Sequence, residues 1–154
     1  MADEITVIKN QYYQLAAAGK PEHIASVDFE FWAAETRIQD YTLLSDYAQW
    51  LRSRIPPSLH DAYYQLVEYP VLAAKLMNKK ILYAKGSMFN FRGSARYTPL
   101  YKTRLVREAF DSIQLITTTY NKEIAGGKWD GMMSWHPRDL PVFKMPITSD
   151  SVTA

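Results

Sequence analysis

Ile5, Ile8, Tyr12 and Leu15 recur at alternating steps of three and four residues, which sets them on one stripe of a helix over roughly residues 3–18. Gly19 followed by Lys20-Pro21 stops it. A second stripe, Ile38, Tyr41, Leu44, Ala48, Leu51 and Ile55, must end at Pro56-Pro57, because a proline lacks the amide and clashes with the preceding turn. The stretch between, residues 26–35, has no clear period. Ser58 reads as an N-cap for a long third stripe of Leu59, Tyr63, Leu66, Ala73, Met77, Lys80, Ala84 and Met88. Pro70 falls inside it, where a regular helix loses roughly 3 kcal/mol. The apolar register continues across Pro70 without slipping, so a kink near Leu66 is expected rather than two separate helices. Gly93-Ser94 marks a turn, and Thr98-Pro99 is a cap with proline at the first helical position. The helix that follows carries Val106, Ala109 or Phe110, Ile113, Ile116, Tyr120 and Ile124, and Gly126-Gly127 supplies the left-handed residue that ends it.

Beyond Lys128 the periodicity gives way to Trp129, Trp135, Pro137, Pro141, Phe143 and Pro146. With no convincing alternating strand, the expected fold is all-α: an up-and-down bundle of about four to five helices with an extended C-terminal tail. Residues 1–127 are expected to form the bundle, 128–148 an aromatic and proline-rich tail packed on it, and 149–154 a linker or cut end. The 154 residues, 47% of them apolar or aromatic, suffice for one core without staples. Cysteine is absent, which removes disulfides, thiolate metal sites and cysteine nucleophiles. No apolar run reaches the roughly 20 residues of a membrane span. The start, Met1-Ala2-Asp3-Glu4, is acidic where a secretory signal would be basic and then apolar, although a domain excised from a secreted parent would begin in the same way.

The net charge of +2 hides an uneven distribution. Residues 1–69 carry ten acids and five bases, residues 70–107 nine Lys and Arg with no acid, and the remainder six acids and four bases. The basic block is expected to be a solvated or docking face with Lys79, Lys80, Lys85, Arg92 and Arg96 as its candidates; phosphate or an anionic glycan are the other occupants such a block suits. No nucleic-acid motif accompanies it.

Hydrolytic chemistry needs a nucleophile with a base, a carboxylate pair across a cleft, or a metal. His23, His60 and His136 lie on three different segments, without the i, i+4 spacing that places two imidazoles on one helix face. Gly86-Ser87 and Gly93-Ser94 lack the flanking pattern of a phosphate loop or a serine elbow. A glycosidase needs two carboxyl groups about 5 to 9.5 Å apart; Glu123, Asp130 and Asp139 are the acids close to the aromatic tail. Trp129 beside Asp130 can hold a sugar face or simply tuck an indole onto the core, and with Trp135 these two are the carbohydrate or domain-interface candidates. Tyr12, Tyr41, Tyr63 and Tyr120 fall on apolar stripes, where core filling accounts for them. No catalytic residue, metal site or cofactor is assigned.

Three stretches carry a family resemblance. They are Asp61-Ala62-Tyr63-Tyr64-Gln65-Leu66-Val67-Glu68-Tyr69-Pro70-Val71, then Tyr120-Asn121-Lys122-Glu123-Ile124-Ala125-Gly126-Gly127-Lys128-Trp129, then Met132-Met133 with Trp135 and Met145-Pro146. In order and separation they resemble the C-terminal helical region of glycoside hydrolase family 115, as does Lys20-Pro21-Glu22, and the similarity covers most of residues 9–146. The resemblance implies a parent xylan α-glucuronidase that removes glucuronic acid or its 4-O-methyl derivative from glucuronoxylan with inversion. Its catalytic barrel would precede the bundle and a β-sandwich would follow. None of the barrel's catalytic carboxylates matches a position here. The implied partners are those two domains, with room for a parent homodimer and none for nucleic acid or a membrane, and the parent would be secreted or periplasmic. The expected function is therefore a non-catalytic accessory domain of a carbohydrate-active enzyme. The alternative is a free-standing binding module for an anionic polymer or glycan, with an autonomous glycosidase as the third choice.

Overall fold

A computed structural model describes residues 1–88 and 99–149. Among them there are α-helices and short 3-10 and π-turns and no strand, so the chain is an all-α bundle. Helix α1 spans Ala2–Ala17, α2 Phe31–Arg52, α3 His60–Tyr63, α4 Tyr69–Ser87 and α5 Pro99–Thr118. Helices α3 and α4 are one continuous rod joined by a π-turn, Tyr64–Glu68. The kink expected near Leu66 thus takes the form of a widened turn. The Gly93-Ser94 turn and the Thr98 cap lie outside the described residues.

Helix α4 buries Tyr69, Val71, Leu72, Ala74, Leu76, Met77, Asn78, Lys80, Ile81, Leu82, Ala84 and Ser87, which occupy nearly its whole circumference. A helix apolar on most sides belongs at the centre of its layer. Around it, Ile8 of α1 and Leu44, Ala48 and Leu51 of α2 close on Tyr63, Val67 and Val71. Ala109 and Ile113 of α5 close on Leu76 and Met77, and Ile24 and Ile38 on Ile81 and Leu82. The tail crosses the α4–α5 seam through Trp135, Val142 and Phe143, with two 3-10 turns, Pro137–Asp139 and Pro141–Phe143.

Two local expectations change. Helix α2 begins at Phe31, inside the stretch without a period; Trp32 lies on its outer face, 78% exposed, which obscures the apolar stripe there. Ser58 makes no capping hydrogen bond; it lies within a 3-10 turn, Pro57–Leu59, that leads directly into α3.

Candidate functional site at the paired π-turns

In a regular helix the amide of residue 70 would bond the carbonyl of residue 66, and Pro70 has no amide to offer. The chain inserts one residue into the turn instead, so that the Tyr69 amide reaches back five residues to the Tyr64 carbonyl. Such π-bulges recur at functional sites. A second one follows α5 over Thr119–Glu123, where the Ile124 amide bonds the Thr119 carbonyl. The two widened turns meet. Tyr64 donates its hydroxyl to the Ile116 carbonyl at 3.1 Å, Gln65 donates to the Tyr120 hydroxyl at 2.8 Å, and the Tyr69 and Tyr120 rings lie 4.8 Å apart. Burial, reinforced by Glu68, pushes the Tyr64 phenol well above its usual range, so it stays a neutral donor.

The chain then reverses. Ala125, Gly126 and Gly127 have φ of 50°, 64° and 80°, so the left-handed run starts one residue before the glycines that announce it. Asp61 accepts the Ala125 amide at 2.8 Å and ties the reversal to α3. Asn121 clamps the next loop from both sides, donating to the Met133 carbonyl at 2.7 Å and accepting from the Met133 amide at 3.0 Å. Trp129, half-buried, lies against the Tyr64, Tyr69, Leu72, Tyr120 and Ile124 cluster. The first two stretches that carry the family resemblance, with Met133 of the third, therefore converge on one end of the molecule, although more than fifty residues separate Asp61 from Tyr120.

Asp130 is exposed and paired with Lys122 at 2.6 Å, and Met132 is also exposed. Glu68 is buried and bonded to Arg52 at 3.0 Å; burial pushes its carboxyl up, and the adjacent guanidinium opposes that shift. Arg52 also lies 5.6 Å over the Tyr64 ring, so the pair fastens the first π-turn to α2. Trp135 does not join Trp129. It packs on the α4–α5 seam, edge-on to Phe110 at 5.8 Å and to His136 at 4.2 Å. Among the described residues no group of three His, Asp or Glu could hold a metal, and no helix is long and apolar enough to cross a membrane.

The basic candidates do not make one open face. Lys80 is fully buried, its ammonium donating to the Val142 carbonyl at 2.7 Å and the Lys144 carbonyl at 3.2 Å. Burial pushes its pKa down to about 8. Lys85 is half-buried and donates to the Val27 carbonyl at 2.8 Å, Lys79 is half-buried, and Arg92 and Arg96 lie outside the described residues. The physical reason is the position of α4: a run of lysines on a central helix must aim inward wherever backbone carbonyls are at hand to receive them.

One polar anchor escaped the sequence. Arg37 is 5% exposed and donates to Asn78 Oδ1 at 2.7 Å, to the Leu15 carbonyl at 2.8 Å and to the Gly19 carbonyl. It lies between the Phe29 and Tyr41 rings, 5.3 and 5.2 Å from their centroids. The cation thus donates to free carbonyls at the end of α1 and ties them to α2 and α4. The one signal was its register, next to Ile38 and four residues before Tyr41 on the apolar stripe.

No protein-family model and no curated protein matches the chain. Among solved structures it is similar to a family GH115 4-O-methyl-alpha-glucuronidase, BtGH115A, with specificity for decorated arabinogalactans. The match has a TM-score of 0.82 at 30% sequence identity, over 94% of this chain and 20% of that one. The chain therefore spans one fifth of the length of that enzyme and corresponds to a domain-sized helical segment of it.

Proposed function

We propose that this chain is a non-catalytic helical accessory domain of a multidomain glycoside hydrolase of the family 115 kind. The observation behind it is one of proportion: nearly all of this chain matches, and it matches a fifth of an α-glucuronidase. Two features of the molecule agree with it. The first two stretches resembling the family build a cross-tied end from paired π-turns, and the carboxylates there are engaged with Lys122, Arg52, a backbone amide or, for Glu123, the Thr119 hydroxyl. That end suits bracing a neighbour better than holding a scissile bond.

The parent would remove glucuronic acid or its 4-O-methyl derivative from polysaccharide side chains, with glucuronoxylan or, as for the similar enzyme, a decorated arabinogalactan as substrate. Its barrel and β-sandwich domains would be the partners of the bundle. The free-standing anionic-polymer module loses ground because Lys80 and Lys85 spend their charge on internal carbonyls. The test is direct. The purified chain should release no uronic acid from glucuronoxylan, arabinogalactan or aryl glucuronides, and should leave a heparin column at low salt, as a few exposed contacts do. Turnover that co-purifies with the chain through successive columns would overturn the proposal, and retention on heparin at high salt would favour the binding module.

A further inference from the structure

Helices α1 and α2 lie side by side over the core that Ile8 and Leu44 share, and between them runs an open groove of about 510 Å³. That lies within the roughly 300–1,000 Å³ of small-molecule sites. Each helix gives the groove one i, i+3, i+4, i+7 stripe, Gln11 to Ala18 along α1 and its cap and Asp40 to Tyr47 along α2. Leu15 and Leu44 make the floor, because both also pack into the core beneath. Leu43 stands on the wall, 59% exposed. Tyr47 is held from outside the groove: its ring stacks on Trp50 with centroids 5.5 Å apart, and Arg54 lies 4.2 Å over the Trp50 ring. A ring fixed in this way is ordered before any ligand arrives.

The chemistry of the walls selects a ligand. Gln11, Gln14 and Asp40 line the groove exposed, and among the described residues none of their side chains makes a hydrogen bond or an ion pair. A glutamine amide donates and accepts, whereas an ionised carboxylate only accepts. Hydroxyl groups match that set, since each can donate to Asp40 and accept from a glutamine. Among the described residues no cation lines the groove, so a carboxylate or phosphate would meet Asp40 uncompensated. A cation would satisfy Asp40 and leave the glutamine N–H donors without an acceptor. A wholly apolar molecule would strip water from all three polar groups. A sugar ring has hydroxyls at its edge and C–H groups on its faces, and so suits the polar walls together with Leu43, Leu44 and Tyr47. Each stripe rises about 10 Å along its helix, room for roughly two linked pyranose rings.

We propose that this groove binds a short segment of a neutral oligosaccharide, with sugar hydroxyls on Gln11, Gln14 and Asp40 and a sugar face on Tyr47. The inference goes beyond the accessory-domain proposal and does not depend on it, because a domain without hydrolytic activity can hold or lack such a groove. It is tested by saturation-transfer NMR on the whole chain at neutral pH, with xylobiose, cellobiose and lactose as neutral disaccharides. Glucuronate, putrescine and cyclohexanemethanol serve as the anionic, cationic and apolar competitors. A saturable response to at least one disaccharide is expected. It should fall about fivefold or more in Gln14→Leu and in Asp40→Leu, each of which removes an exposed hydrogen-bonding group and leaves the core untouched. Tyr47→Ala should lower it similarly. Gln39→Leu should leave it unchanged, because that exposed residue of α2 lies outside the groove. Thermal unfolding midpoints show which variants remain folded, and Gln14→Leu preserves side-chain size should Tyr47→Ala prove unstable. Silence from all three disaccharides, an unchanged response in a folded Gln14→Leu or Asp40→Leu, an equal fall in Gln39→Leu, or preferential binding of any of the three competitors would each overturn it.

Discussion

Arg37→Met removes a guanidinium from the interior while keeping the apolar stem that packs beside it. Asn78, fully buried, would lose the donor to its Oδ1, and an orphaned buried acceptor costs about 1–3 kcal/mol. The Leu15 and Gly19 carbonyls lose their partners too, but they end a helix and lie partly within reach of water, so about 1 kcal/mol each is the upper bound. Stacking on Phe29 and Tyr41 contributes a further amount of the order of 1 kcal/mol. Against this stands the penalty of burying the cation, which pushes the Arg37 pKa below its ordinary value and which Met does not incur. The balance is a loss of about 2–4 kcal/mol, a large part of the 5–15 kcal/mol that hold a domain together. Urea denaturation measures it. Asn78→Leu in the same chain should recover part of the loss, because removing both partners costs less than removing one. A midpoint within about 0.5 kcal/mol of the parent for Arg37→Met, or strict additivity in the double variant, would refute the assigned role.

Trp129→Ala should cost about 2 kcal/mol in the same assay, below the 3–5 kcal/mol of a fully buried aromatic, because the indole is only half-buried on the Tyr64–Tyr120 cluster; an unchanged midpoint would mean that the tail loop is held by Asn121 alone. Lys80 makes stability depend on pH in a defined direction: its folded pKa of about 8 is below its ordinary 10.5, so the unfolded chain binds more protons between those values and stability should rise with pH through that window. Between pH 7.5 and 9.5 the parent should gain about 2 kcal/mol relative to Lys80→Met, in which this dependence is absent; parallel pH profiles for the two would refute it.

What the sequence determined by itself is what local rules decide. The 3.6-residue stripes from Ile5 to Leu15 and from Ile38 to Leu51 gave helices within a few residues of α1 and of the body of α2, since apolar spacing and chain reversal at Gly or Pro are properties of neighbours. Pro70 announced a defect, and the uninterrupted register announced that the rod would survive it. The first two family-like stretches meet where the π-turns pair, though nothing local said that they would touch, and Trp135 of the third packs elsewhere, on the α4–α5 seam. Tertiary structure decided the rest. Whether a lysine faces water or a carbonyl depends on which helix is central, so Lys80 could be read as a surface charge until the Val142 and Lys144 carbonyls were seen around it. Arg37 was invisible for the same reason, because its partners Leu15, Gly19 and Asn78 are 18 to 41 residues away and a charge on an apolar stripe gains meaning only from what it meets.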